Sequence, residues 1–199
     1  MMDHSDNHHH GAWTMDQLSR LVRPERNEMM PIAMVLSHVH AASGSTVVDV
    51  GAGLGWLTFP LASLVGSHGR VVAIDPSTDG IQAIKVKADQ DQSGHIEARV
   101  ARAEDTGLPD ECADCLVWHT MYHDVEHRSL ALSEMYRIAK SGAHWVIVDW
   151  DKRPMDIGPP LSVRMAAEEV EMEVKQVGFR TVERWRGGPV TWGLTLIKP

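Results

Sequence analysis

The sequence predicts an α/β fold in which a mostly parallel, seven-stranded sheet is covered by helices on both faces. Apolar, β-branched runs alternate with segments whose apolar residues recur at intervals of three and four, which is typical of parallel strands joined by helical crossovers. The last two apolar runs, 179–185 and 190–197, are too close in sequence for a crossover and must form an antiparallel hairpin. We therefore expect a doubly wound, mixed sheet that ends in this hairpin.

Each element follows from the local pattern. The segment 14–42 has helical spacing interrupted by Pro24 and Pro31, which predicts two helical pieces. No internal repeat or second domain is visible, so we expect one domain over 13–199 with N-terminal capping helices at 13–43. Between these helices and the hairpin, strands are predicted at 46–50, 70–75, 95–101, 112–119 and 144–150, and helices at 56–65, 78–91, 128–140 and 166–177.

The composition of the chain disfavours some classes of protein. The chain has 199 residues, of which 43% are hydrophobic and 23% charged, as in an ordinary globular protein. Its net charge of −8 disfavours a general nucleic-acid binder, because such a chain repels the phosphate backbone. No apolar run approaches the ~20 residues that span a bilayer, and the N-terminus lacks a secretory signal. We expect a cytoplasmic monomer or homodimer without a membrane span.

Two segments carry residue types that bind metals. Cys112 and Cys115 form a single C-x-x-C, but residues three apart on a strand face opposite ways, so we expect buried, inert thiols, with redox or metal use as the alternative. The first twelve residues, 1–12, are rich in histidine and poor in apolar side chains. A disordered tail is expected there, with adventitious binding of a transition metal as the alternative. We predict no metal in the functional site.

A glycine-rich turn, 51–55, follows the first predicted strand. In an open parallel sheet, ligands bind beyond the carboxyl ends of the strands, commonly next to the first strand. Glycine allows the unusual backbone angles of such a turn and lets a ligand approach the main chain. Asp75 lies twenty residues beyond Gly55, at the end of the second predicted strand, where a carboxylate can accept both hydroxyls of a ribose. The two features together predict a ligand that contains a nucleoside.

The spacing of the glycines in this turn helps to distinguish a dinucleotide from an adenosyl ligand. A dinucleotide fingerprint has a third glycine at the sixth position, but Trp56 or Thr58 stands there, depending on where the count starts. Asp49, two residues before the turn, would repel phosphate and suits a ligand with an ammonium group. The structural alternative is that Asp49 only ties the first helix to the loop. An adenosyl ligand is therefore favoured, and a nicotinamide-dependent oxidoreductase remains the less favoured alternative.

Several segments, in this order and spacing, resemble the motifs of class I S-adenosylmethionine-dependent methyltransferases. The resemblance covers about residues 45–199 and is strongest to the branch that includes ubiquinone and menaquinone C-methyltransferases. It implies a Rossmann-like fold and S-adenosyl-L-methionine as the cofactor. The segments that carry it are 48–55, 73–77, 103–109, 113–117, 122–126 and 132–142.

The resemblance also implies where the cofactor lies. Its methionine portion would contact Asp49 and the glycine turn, the ribose would bind Asp75, and the sulfonium would lie beside His119. Arg102 is a departure, since the family often has an acidic residue there that accepts from the adenine amino group. The implied cofactor-binding residues are Asp49, Gly51, Ala52, Gly53, Asp75, Pro76, Ala103, Glu104 and His119.

Transfer of a methyl group from a sulfonium needs mainly alignment and a dry pocket, and it needs a base only when the acceptor holds a proton. His119 is the first candidate for that base, since imidazole titrates near neutrality and the position implied for it faces the methyl group. His123 is a second candidate and Tyr122 a third. A hydrogen-bonded core histidine is the structural alternative for His119, and a surface role is the alternative for His123.

The predicted function is methyl transfer to a small acceptor. Its pocket is expected between the N-terminal helices, the segment 118–124 and the loop 150–160, whose side chains favour an apolar or aromatic acceptor. A regulatory module that binds the cofactor without catalysis is the main alternative. The side chains expected in that pocket are Trp13, Met29, Met30, Trp118, Met121, Tyr122, Trp150 and Met155.

Overall fold

The structure, a computed structural model, describes residues 13–20 and 22–199. The predicted tail at 1–12 lies outside these residues. Within them the strands are β1 (Thr46–Val50), β2 (Arg70–Asp75), β3 (Ile96–Val100), β4 (Ala113–His119), β5 (Ala139–Trp150), β6 (Arg180–Gly188) and β7 (Thr191–Ile197). The α-helices are α1 (Met15–Arg20), α2 (Glu25–Met29), α3 (Ile32–Leu36), α4 (Thr58–Val65), α5 (Thr78–Gln90), α6 (Arg128–Ile138) and α7 (Ala167–Gln176), and residues Tyr122–Asp124 form a 3₁₀ turn.

All seven strands form one sheet in the order β3-β2-β1-β4-β5-β7-β6. Strands β1 to β5 pair in parallel, whereas β7 pairs antiparallel with both β5 and β6. This confirms the predicted α/β class with its closing hairpin. The chain proceeds outward from β1 through β3 and then returns to the other side of β1 with β4. The strand order therefore reverses between β1 and β4, which leaves a crevice at their carboxyl ends.

Alternate residues of the central strands point to opposite faces of the sheet, and each face has its own core. Val48 of β1 and Trp118 of β4 pack with α6 and α7 on one face, while Val47 packs with α3 and α4 on the other. Cys112 lies just before β4, is half-buried and contacts the first of these cores, whereas Cys115 is buried in the second, so the expectation of a buried thiol is confirmed for Cys115 and wrong for Cys112. Burial raises the pKa of the Cys115 thiol to about 12, which keeps it protonated and inert.

Three differences from the prediction are larger than a shift of one or two residues. The N-terminal segment forms three short helices instead of two pieces, because Pro24 and Pro31 each start a new helix. Strand β5 begins five residues before the predicted 144, and the exposed residues at its start hide it from the apolar pattern. The hairpin turn is tighter than expected, since Gly187 and Gly188 belong to β6. A Cβ at Gly188 would overlap the main-chain oxygen of Met29.

The first turn of α5 packs directly against the glycine-rich turn. A Cβ on Gly80 would lie 2.6 Å from the main-chain oxygen of Gly53, so only glycine allows this approach. Ser77 caps the helix by accepting a hydrogen bond from the Gly80 N–H at 3.2 Å. The turn is thus held between β1, β2 and α5. Among residues 13–20 and 22–199, none of the helices has the length and apolarity to cross a bilayer.

Candidate active site

A cavity of about 440 Å³ opens at the carboxyl ends of β1, β2 and β4, where the strand order reverses. Its volume is that of a site for a small ligand. The structure brings together in its wall all nine residues predicted to bind the cofactor, and His123 with them. The opposite wall comes from the N-terminal segment, the residues after β4 and the loop after β5. The predicted site residues therefore share one chamber.

The glycine turn is held by main-chain hydrogen bonds to β2. Gly51 and Ala52 both donate to the main-chain oxygen of Ile74, at 2.8 and 3.0 Å. Gly51 has a φ of +76° and Gly53 one of +56°, in the left-handed region that glycine adopts without strain. The Gly53 N–H turns towards β2 and donates to Oδ2 of Asp75 at 2.8 Å. The turn therefore presents bare main chain to the cavity.

Asp75 lies at the end of β2 with 7% of its surface exposed. Its Oδ2 accepts from Gly53, and its Oδ1 accepts from the Ser77 N–H at 2.8 Å. Burial raises the pKa of this carboxyl, against the effect of the two main-chain donors. Each carboxylate oxygen has a second lone pair, so Asp75 can still accept two hydroxyl donors from the cavity.

Asp49 is 2% exposed and lies within β1, one residue before its end. Its Oδ2 accepts a hydrogen bond from the Thr58 hydroxyl at 2.6 Å. Burial raises the pKa of Asp49 to about 6, and the negative charge of Asp75 adds to this effect. None of the described residues forms an ion pair with Asp49. A buried carboxylate of this kind suits a cationic ligand.

Arg26, which the sequence analysis did not single out, reaches the cavity from α2 and is 9% exposed. Its Nη2 lies 3.2 Å from Nδ1 of His119 and 2.7 Å from the hydroxyl oxygen of Thr120. A guanidinium only donates, so Nδ1 of His119 must be the acceptor and Nε2 must carry the hydrogen. Burial, aided by the charge of Arg26, lowers the pKa of His119 well below its ordinary value. The imidazole is therefore neutral.

His123 lies in the 3₁₀ turn after β4 and is held by Asp149 of β5. Its Nδ1 lies 2.8 Å from Oδ1 of Asp149, and its main-chain N–H donates to Oδ2 at 3.1 Å. Burial alone would lower the pKa of His123, but Asp149 and then Asp124 outweigh it, so the pKa is raised. The side chain is 6% exposed, and the surface alternative for His123 is wrong. The sequence did show Asp149 as a charge within an apolar strand.

Glu104 and Arg102 lie together at the far end of the cavity, beyond Asp75. Oε1 of Glu104 accepts from Arg102 Nη2 at 3.4 Å and from the His127 N–H at 3.3 Å. Arg102 also donates to Glu126 at 3.3 Å. Arg102, which departs from the family pattern, is thus neutralised by the carboxylates of Glu104 and Glu126.

The other end of the cavity is apolar. Of the eight side chains expected in the acceptor pocket, three line the cavity: Trp150, Trp13, whose main-chain oxygen accepts from Ser77, and Met121, which lies against Gly51. Trp118, Tyr122 and Met30 instead lie fully buried in the molecule, because the inward positions of β4 and the short helices serve packing. The Tyr122 hydroxyl donates to Glu173 at 2.7 Å and Tyr122 is not part of the cavity wall, so the structure does not support it as a base there. Met29 and Met155 also lie outside the wall.

Arg164 orders the loop that forms part of this apolar end. The guanidinium is 3% exposed and donates to the main-chain oxygens of Pro159 and Ile157 at 2.7 Å, and of Arg153 at 2.8 Å. The chain closes against Trp150 at Gly158, where a Cβ would lie 2.6 Å from the indole ring. One buried cation thereby fixes the wall that faces the glycine turn.

The buried Asp49 gives a testable pH dependence of stability. The folded state raises its pKa from 3.8 to about 6, so the protein without ligand loses stability as the pH rises through this window. We expect Asp49→Asn, which keeps an acceptor for Thr58 and cannot ionise, to raise the free energy of unfolding at pH 7.5 by about 3 kcal/mol. At pH 4 the difference shrinks to below about 1 kcal/mol.

Urea unfolding at the two pH values measures this effect. Asp89→Asn, at an exposed position of α5, is the control and is expected to change little at either pH. An Asp49→Asn variant that is less stable than the wild type at pH 7.5 would contradict the account, because it would show that the Asp49 charge stabilises the fold.

Comparisons with known proteins show the family of this chain. The family model described as a methyltransferase domain matches residues 48–147. A ubiquinone/menaquinone biosynthesis C-methyltransferase of Marinomonas sp. is 30% identical over 118 residues, covering 59% of this chain and 47% of that protein. One from Pseudomonas savastanoi is 32% identical over 116 residues, covering 55% and 43%. The chain thus spans about half the length of the curated relatives it matches.

Solved structures extend the likeness over nearly the whole chain. A structure described as a methyltransferase dependent on S-adenosylmethionine, from Aquifex aeolicus, is 26% identical with a TM-score of 0.88, covering 94% of this chain and 100% of that one. The predicted family and cofactor are thereby confirmed. With half of its length matched by the family model, the chain belongs to the methyltransferase domain family and to its class I, S-adenosylmethionine-dependent members.

Proposed function

We propose that a single domain spanning 13–199 transfers the methyl group of S-adenosylmethionine to a small apolar or aromatic acceptor. The observation that carries this proposal is the pair of buried carboxylates, Asp49 and Asp75, beside the bare main chain of the glycine turn. The residues fit the cofactor, since one carboxylate has no cationic partner among the described residues and the other keeps lone pairs for hydroxyl donors. The apolar wall on the other side supplies the space for the acceptor.

The cofactor would lie along the carboxyl ends of the first strands. Asp49 would take the charge of its ammonium group, and the free lone pairs of Asp75 would accept the ribose hydroxyls. Pro76, Ala103 and Glu104 would form the pocket for the base. The sulfonium would then lie at the end of β4, between the glycine turn and the apolar wall. When bound, the cofactor supplies an electrophilic methyl group and leaves as a neutral thioether.

The chain's own contribution is alignment, exclusion of water and removal of a proton from the acceptor. We infer that His123, the second candidate from the sequence, serves as the base in preference to His119. Asp149 holds Nδ1 of His123, so Nε2 can take a proton, and the imidazolium would be stabilised by Asp149. His119 has its lone pair on Nδ1 occupied by Arg26. In this state it can only donate from Nε2.

The proposed acceptor is an aromatic ring with an ionisable hydroxyl. The cavity wall carries Met121, Val125, Trp150 and Pro159, which suit a flat apolar molecule. The names of the curated relatives, which act in ubiquinone and menaquinone biosynthesis, support an acceptor related to a quinone. Removal of a proton from such a hydroxyl places negative charge on the ring carbons and makes them nucleophilic. A base beside the ring is therefore useful for C-methylation.

Cofactor binding provides the first test of this proposal. S-adenosylmethionine and S-adenosylhomocysteine should raise the melting temperature, because a ligand that binds only the folded state stabilises it. Asp75→Asn should weaken binding of S-adenosylhomocysteine about ten- to one-hundredfold in isothermal titration, the scale of hydrogen bonds to a charged group. The control is Asp79→Asn, two residues into α5 on an exposed position. Unchanged affinity in Asp75→Asn would place the ribose elsewhere.

Turnover provides the second test. With phenols and hydroquinones as acceptors, we expect S-adenosylhomocysteine to form, at a rate that rises with pH through a midpoint above 6.5. The reason is that the active base is neutral His123 and its pKa is raised. His123→Gln should lower kcat about 100-fold or more and remove this pH dependence. The control is His127→Gln, whose side chain is exposed.

Two other outcomes would contradict parts of this proposal. If His119→Gln removes the pH dependence and His123→Gln keeps it, the base is His119. If the cofactor binds tightly but no acceptor yields S-adenosylhomocysteine, the chain is a binding module and does not catalyse transfer.

A further inference from the structure

Arg26 is a buried cation that has no anionic partner in the part of the chain that the structure describes. The partners of its guanidinium are the neutral imidazole of His119 and the hydroxyl of Thr120. Its Nε is buried and has no acceptor, and the group lies 5.8 Å from the centre of the Trp56 ring. No carboxylate of residues 13–20 and 22–199 forms an ion pair with it. Burial lowers the pKa of Arg26 to about 10, so it remains charged at neutral pH.

Such an arrangement does not serve stability. Removal of a guanidinium from water has a large cost unless an anion compensates it, and here only neutral groups are present. An apolar side chain of similar length would fill the same place without that cost. The charge is therefore better explained by a ligand than by packing.

His119 adds a second donor beside the first. Its Nδ1 accepts from Arg26, which leaves the hydrogen on Nε2, and Nε2 is buried without a partner. Both side chains line the cavity. A positive charge and a neutral N–H donor lie together, and Nε of Arg26 and Nε2 of His119 both lack an acceptor among the described residues. This combination matches a carboxylate, which has two oxygens to receive them.

We propose that Arg26 and His119 form a carboxylate-binding site in the cavity. The site rests on the proposed function, and its ligand is the carboxylate either of the cofactor's methionine end or of the acceptor. Asp49 lines the same cavity and has no cationic partner among the described residues, so the wall offers a buried anion as well as the buried cation of Arg26. An α-amino acid group, with its ammonium and its carboxylate, is complementary to such a pair of charges.

The cofactor arm of the test compares two ligands. S-adenosylhomocysteine has the amino-acid group, and 5′-methylthioadenosine has the same nucleoside without it. In isothermal titration, Arg26→Met should weaken the first about ten- to one-hundredfold and change the second by less than about twofold. Arg23→Met, at an exposed position on the same segment, is the matched control and should bind both ligands as the wild type does.

The acceptor arm uses benzoate as an aromatic carboxylate. If the carboxylate belongs to the acceptor, benzoate should bind the wild type saturated with S-adenosylhomocysteine, and Arg26→Met should abolish that binding while the affinity for S-adenosylhomocysteine stays unchanged. Arg26→Lys keeps the charge without the forked donors. Arg26→Lys should therefore retain part of the affinity for S-adenosylhomocysteine or for benzoate, whichever of the two Arg26→Met binds more weakly than the wild type does.

Unfolding separates a ligand site from a structural role. If Arg26 serves to bind a ligand, Arg26→Met without ligand should be at least as stable to urea as the wild type. A variant that unfolds more easily and also loses 5′-methylthioadenosine would overturn the proposal and make Arg26 structural. If Arg26→Met binds S-adenosylhomocysteine, 5′-methylthioadenosine and benzoate as the wild type does, the carboxylate site is also overturned. That result would leave the proposed function intact. A wild-type protein that binds neither nucleoside would instead remove the proposed function, and the carboxylate site with it.

Discussion

The burial of two carboxylates at the carboxyl ends of neighbouring parallel strands is the constraint on which the rest of the site depends. Burial raises the pKa of both Asp49 and Asp75, and the negative charge of Asp75 adds to the rise at Asp49. Asp75 is also the acceptor that fixes the Gly53 N–H, which ties the shape of the glycine turn to β2. The α5 helix then packs on the same turn at Gly80, where no side chain would fit. The fold thus places two buried carboxylates, which are unfavourable for stability when ionised, at the place where a cationic ligand would bind.

Charge is unevenly distributed around the cavity. The carboxylates lie by the first two strands, whereas Arg26 lies across from them at the end of β4 and meets only neutral groups. His119 is held neutral by burial and by that neighbour, while His123 has a raised pKa next to Asp149. The two histidines are only four residues apart, but we assign them different roles: His119 is a hydrogen-bond donor and His123 is the base. Their environments decide this difference, since the side chains are chemically the same.

Much of the fold was predictable because its signals are local. Runs of β-branched residues, the glycine turn and the short interval before the hairpin each specify a backbone conformation within a few residues. Asp75 was also found this way, as the residue that ends an apolar run beyond such a turn. The start of β5 was not predictable, because the exposed Ser141 and Gly142 break the apolar pattern there.

The chemistry of the site was less predictable, since it depends on contacts distant in sequence. Arg26 lies in a polar stretch that resembles a surface helix, and its burial arises from residues 93 and 94 positions away. The same contact determines which nitrogen of His119 carries the hydrogen. Asp149 was visible as a charge in an apolar strand, but its partner, His123, appears only when β5 is placed beside β4.

The most direct test of the central claim is the number of protons released when the cofactor binds. At pH 6 about half of Asp49 is protonated in the free protein, and an ammonium group placed beside it should ionise the rest. Titration of S-adenosylhomocysteine in buffers of different ionisation enthalpy should show that the wild type releases about half a proton more than Asp49→Asn, which should also bind more weakly. Equal proton release and equal affinity in the two proteins would contradict the account.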